Sequence, residues 1–177
     1  MTETTLETLP PGVQRVSAVL AERGHPHVPR MLDDAARTAQ QAADALGVAL
    51  GQIAKSIIFR RKNHPSGDDA AVLVVTSGDL RVDEKKVQAI VCAEGGKLGR
   101  ADADFVKAKT GFSIGGVSPL AHATPPVTLI DRALFRFDVI WAAAGHPHGV
   151  FPLSPDDLVR LTGAPVHDVT QAVEARP

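Results

Sequence analysis

Two apolar, β-branched runs limit what this chain can fold into more than any other feature. Ile53 to Arg61 (IAKSIIFRR) and Ala70 to Thr76 (AAVLVVT) flank the polar turn KNHPSGDD. The first reads as a strand from its β-branched content, and the second, continuously apolar, reads as a buried strand. Side chains alternate along a strand, so Ile53, Lys55, Ile57 and Phe59 share one side while Ala54, Ser56, Ile58 and Arg60 share the other. Lys55 therefore stands among apolar neighbours. An ammonium there is costly unless it reaches a cleft or an anionic partner, and a lysine that snorkels from the strand end to solvent is the other reading.

The remaining segments supply helices and further strands. Val13, Val16, Val19 and Leu20 fall at helical spacing and predict a helix closing near Gly24, followed by the proline-punctuated segment His25-Pro26-His27-Val28-Pro29. A helix is expected from Thr38 to Leu46 with Gly47 as its stop, and another from the cap Asp83 to about Ala93. A short strand near Lys97 to Gly99 precedes a helix from Asp102 to Lys109 that Gly111 ends. Strands at Val127 to Ile130 and Asp138 to Ala143, the loop GHPHG and a last helix opened by Ser154-Pro155 complete the chain. No repeat or low-complexity linker divides it, so residues 1–177 read as a single α+β domain built round a mixed sheet.

Composition narrows the partners. With six Phe, one Trp and no Tyr, the chain cannot stack base after base on aromatic platforms, and a net charge of −1 is unlike a protein that wraps long duplex. The charge is uneven: residues 55–109 carry 11 basic and 8 acidic side chains, net +3, and hold every lysine. That basic middle is either a solvated face or a local anion-binding surface. No apolar run approaches a membrane span, and the first residues lack the basic start and apolar stretch of a signal peptide. With Cys92 as the lone cysteine, the expectation is a cytoplasmic protein without an internal disulfide.

Candidate chemistry centres on a few positions. Gly115 and Gly116, in GFSIGGVSP, permit positive φ and close backbone approach; consecutive N–H groups there can cradle an oxyanion or a phosphate, and a plain tight turn is the alternative. Two His-Pro-His triplets, His25/His27 and His146/His148, have the i, i+2 spacing of some metal sites. Neither has a carboxylate close in sequence, so stiffened loops, with one His lining a pocket, fit better than a metal centre, and no metal or cofactor is expected. Cys92 lies in the apolar stretch AIVCA and reads as an inert thiol, and no serine occupies a G-x-S-x-G elbow. Without a nucleophilic side chain, the attacking group in any hydrolysis is a water or a hydroxyl of the substrate.

The order IAKSIIF, AVLVVTSGDLRVDEKKV, KTGFSIGGVSPL, AAAGHPHGVFPLSPDDLVRLTG resembles the YbaK/ProX family of aminoacyl-tRNA deacylases, relatives of the editing domain inserted in bacterial prolyl-tRNA synthetases. It covers roughly residues 15–170. The resemblance implies a mostly antiparallel, curved mixed sheet flanked by helices, and hydrolysis in trans of the ester joining a wrong amino acid to the terminal adenosine of tRNA, foremost tRNA for proline. It implies that Lys55 is the essential lysine, that Gly115 and Gly116 give backbone contacts to the aminoacyl carbonyl, and that Ser56 keeps the hydroxyl of the residue after the lysine. Phe112, Ser118, His146 and His148 are the further expected substrate-binding residues. The implied partner is the acceptor end of aminoacyl-tRNA, with a synthetase as a further candidate. Pro29 stands where cysteine-specific members place an aromatic, so cysteine specificity is not carried over. Two other functions are weighed beside this one: a non-catalytic tRNA- or protein-binding module of the same fold, and a hydrolase using a metal held by the His-Pro-His pairs.

Overall fold

The computed structural model describes residues 8–33 and 36–172. Residues 1–7, where the leader reading began, lie outside the described part. The elements follow in the order α1 (Pro11–Glu22), β1 (Arg30–Met31), α2 (Ala39–Leu46), β2 (Ile53–Lys62), β3 (Ala70–Ser77), α3 (Glu84–Val91), β4 (Lys97–Arg100), α4 (Ala103–Thr110), β5 (Val127–Asp131), β6 (Ile140–Ala143), β7 (Gly149–Leu153), α5 (Pro155–Thr162) and β8 (Val166–His167).

All the strands join one mixed sheet in the order β1-β7-β6-β2-β3-β5-β8, with β4 beside the far end of β2. The pairs β2–β3, β2–β4, β6–β7 and β1–β7 are antiparallel; β2–β6, β3–β5 and β5–β8 are parallel. β3 lies inside the sheet and is covered on both faces, which explains its unbroken apolar sequence. Leu73 and Val75 join the larger core with Val16 and Leu20 of α1, Phe105 and Val106 of α4, and Leu158 and Leu161 of α5. Val72 and Val74 turn the other way, onto Val87 and Val91 of α3.

The helix signals are used as expected. Thr38 caps α2 in a reciprocal box with Gln41, and Gly47 ends that helix at φ 70°. Asp83, Asp102 and Ser154 cap α3, α4 and α5. Most boundaries shift by a residue, and two shift by two: α3 stops at Val91, short of Ala93, and β6 starts at Ile140 rather than Asp138. The sequence reading missed three strands: β1 and β8, of two residues each, and β7, which is hidden because it contains Pro152 and a proline argues against a central strand. Here β1 pairs only with Gly149 and Val150, so at Pro152 the outer edge of β7 has no strand to serve. His25 Nε2 donates to the Pro152 carbonyl at 2.8 Å instead. Among the described residues no helix is long and apolar enough to cross a membrane.

Candidate active site

The sheet splits beside β2, and the split forms a cleft. On one edge β2 pairs with β3 from Ala54 to Arg61. On its other edge β6 pairs only with Ile53 and Ala54, and β4 only with Phe59 to Lys62. Lys55, Ser56, Ile57 and Ile58 are left with a strand neighbour on one side. Alternate residues of an antiparallel strand turn both backbone polar groups to the same side, so two of these four aim N–H and C=O into the gap. The cleft holds about 430 Å³ and is closed by the start of α2 (Thr38, Ala39, Ala42), by Trp141 of β6, and by Ile114 and Gly115 of the glycine-rich loop.

Lys55 lies in the cleft wall and is half-buried. It continues the row of Ile57 and Phe59, which pack on the α3 side, past the end of that smaller core. Its Nζ donates to the Leu80 carbonyl at 3.0 Å, which leaves two N–H bonds for a ligand. Burial holds its pKa below the ordinary 10.5; the Asp79 carboxylate opposes that shift and Arg81 adds to it. Next to it, the Ser56 Oγ is buried without a hydrogen-bond partner among the described residues, a costly arrangement that a polar group in the cleft would relieve.

The two glycines have different duties. Gly115 takes φ 89°, and a Cβ there would meet nothing within 4 Å, so the left-handed backbone is what requires glycine. Its N–H is engaged by nothing among the described residues. Gly116 instead packs so tightly that a Cβ would lie 2.8 Å from the His146 carbonyl carbon. Its N–H donates to the Ser113 carbonyl at 3.0 Å, closing the turn. This corrects the expectation of two convergent donors: the turn consumes the second, and of the two glycines only Gly115, which lines the cleft, keeps an N–H without a partner among the described residues.

The other expected substrate contacts lie elsewhere. Phe112 is fully buried against His122, with the Arg15 guanidinium 5.5 Å from its ring centre. Ser118 is also fully buried; its Oγ accepts the Leu120 N–H and its carbonyl accepts His122 Nε2 at 2.6 Å. The triplet His146-Pro147-His148 is the β6–β7 turn, where His146 Nδ1 accepts the His148 N–H and His148 Nδ1 donates to the Asp33 carbonyl. Of the three, only Pro147 lines the cleft. Pro29 is not part of the lining either. Among the described residues no group of three or more His, Cys, Asp or Glu is arranged to hold a metal ion. Cys92 caps α3 on the far face of the sheet, and burial pushes its thiol pKa up, away from the reactive thiolate.

Sequence reasoning missed much of the cleft wall. An Ala/Gln-rich helix does not announce which face it presents, so Ala39 and Ala42 carried no signal, and Trp141 stood in a strand with nothing to mark it as lining. A sequence model of the aminoacyl-tRNA editing domain matches residues 33–161. The chain belongs to the aminoacyl-tRNA editing domain family. Every residue of the cleft lining falls inside that match, whereas α1 lies outside it. This editing domain is similar to YwhH of Bacillus subtilis (strain 168), a protein described as uncharacterized, at 35% identity over 121 residues, 68% of this chain and 72% of that one. Among solved structures, a candidate trans-editing enzyme for prolyl tRNA synthetase superposes with TM-score 0.83 at 38% identity, over 93% of this chain and 99% of the other. The hypothetical protein APE2540 does so with TM-score 0.76 at 29% identity, over 89% and 99%. The mixed α+β fold is thus that of the editing domains.

Proposed function

We propose that this editing domain hydrolyses the ester between a mischarged amino acid and the terminal adenosine of tRNA, acting in trans, with tRNA for proline as the foremost substrate. The observation that carries this reading is the meeting of Lys55 and Gly115 across one cleft that has an open strand edge for its wall. The tRNA assignment is supported by the family and by the named partner synthetase of the similar solved structure.

An aminoacyl ester is already activated, so a site can hydrolyse it by positioning water or the neighbouring ribose hydroxyl and stabilising the tetrahedral oxyanion. The Gly115 N–H is the fixed donor for that oxygen. The Lys55 ammonium, held against the Leu80 carbonyl, supplies positive charge to the aminoacyl carbonyl or the developing oxyanion. The aminoacyl side chain enters the apolar part of the cleft beneath α2. There Ser56 meets any polar group the side chain carries, a kind of contact that discriminates far better than one methylene more or less.

The test is release of amino acid from a panel of Ala-, Cys-, Ser-, Thr- and 2-aminobutyryl-tRNA for proline, with prolyl-tRNA as the control. At least one mischarged tRNA is hydrolysed and prolyl-tRNA survives, while Lys55→Ala cuts turnover by 100-fold or more (about 3 kcal/mol of barrier). Measurable tRNA binding with no turnover of any member would leave a binding module instead. Normal turnover by Lys55→Ala would remove the lysine from the mechanism.

A further inference from the structure

The two glycines line different hollows. Gly115 belongs to the main cleft, and Gly116 to a second hollow of about 320 Å³ that shares Pro147 with the first. Its walls are the start of α1, the end of α4 and the β6–β7 turn, and the basic side chains Arg15, Lys107 and His146 face it; among the described residues no carboxylate lines it. Among the described residues neither Arg15 nor Lys107 has an acidic partner. Both are held by the loop itself: the Arg15 guanidinium lies over Phe112 and against the Gly111 backbone, and Lys107 Nζ donates to the Gly111 carbonyl at 3.1 Å. Gly12 and Gly145 make the hollow possible, since a Cβ on Gly12 would collide with the Gly145 carbonyl oxygen and would drive α1 away from the turn. Two preoriented cations facing a concave site, with no acidic partner and no lining carboxylate among the described residues, form an anion site.

The position of this site sets its ligand. Only the double-glycine turn separates it from the place where the proposed ester lies, and consecutive Cα atoms are about 3.8 Å apart. The nearest anion on an aminoacyl-tRNA, one sugar away from the ester, is the phosphodiester on the 5′ side of the terminal adenosine. We propose that the hollow behind Gly116 holds that phosphodiester, with Arg15 and Lys107 as its binding residues, so that the glycine turn is clamped between the ester in front and the phosphate behind. This rests on the deacylase reading for the identity of the ligand.

The test uses two dinucleoside probes and no chemistry. Wild-type protein binds cytidylyl-(3′→5′)-adenosine about tenfold more tightly than the same dinucleoside with an uncharged methylphosphonate link, and its affinity falls with salt at a log–log slope of about 0.7. Arg15→Gln with Lys107→Gln abolishes both the preference and the slope; Arg15→Gln alone, which weakens the preference, serves if the double variant melts early. Equal wild-type affinity for the two probes, or a preference that survives the double substitution, overturns the proposal. The deacylase reading is judged apart from it, because a chain that hydrolyses no aminoacyl-tRNA yet prefers the charged probe through Arg15 and Lys107 loses that reading and keeps the anion site.

Discussion

At the residue scale, the site turns on how one ammonium and one backbone N–H are kept ready. Because burial lowers the Lys55 pKa, the charged form is lost at a lower pH than for an exposed lysine. Activity that needs the ammonium therefore declines as pH rises through that lowered value, and the alkaline limb of the background-corrected rate lies below pH 10.5. Asp79 pulls the other way, so Asp79→Asn moves the limb to still lower pH; an unmoved limb in both proteins would detach it from Lys55. The glycines separate by the kind of damage they take. Gly115→Ala finds empty space but a left-handed backbone, costing about 1–2 kcal/mol, and distorts the donor proposed for the oxyanion, so turnover falls far more than thermal stability does. Gly116→Ala collides with the His146–Pro147 backbone, so there the melting temperature falls first. Identical melting curves for the two variants would contradict this division.

At the element scale, α2 is the part of the cleft that local rules control. It is short, only Ala43 is fully buried, and the Thr38–Gln41 box holds its start. Thr38→Ala removes that cap for about 1 kcal/mol, lowering Tm by about 2–4 °C, and loosens the wall over the aminoacyl side chain, so KM rises more than kcat falls. Thr38→Ser keeps the cap and restores both; failure of that rescue would assign Thr38 a role other than capping. The same local rules made α2 and α4 legible through their stops, Gly47 and Gly111, and α5 through its Ser154 start, because each signal acts within one turn. β7 was illegible because its proline is tolerated only by the edge position it takes, and that position depends on β1, β6 and His25.

At the scale of the whole molecule, the sheet is locked by the segment that follows β8. Asp131, buried at the end of β5, accepts hydrogen bonds from the Ala133 and Val169 N–H groups and from Thr170 Oγ1, while the 169–171 backbone bonds to Arg81 and Asp83. Asp131→Ala leaves a buried N–H unpaired and costs about 2–3 kcal/mol, measured as a lowered denaturation midpoint; a loss below 0.5 kcal/mol would show the strap to be dispensable. The sequence by itself determined the helices and their caps, the two central strands, the side of β2 that Lys55 shares, and the glycine pair, because each follows from interactions within a few residues. Tertiary structure alone decided that β6 and β4 abandon the middle of β2 and so open a cleft, that the Gly116 N–H is spent on Ser113, that Pro147 rather than either histidine lines the cleft, and that Arg15 and Lys107 line one hollow. Those outcomes depend on which strands pair and how far, a choice made by packing between segments far apart in the chain.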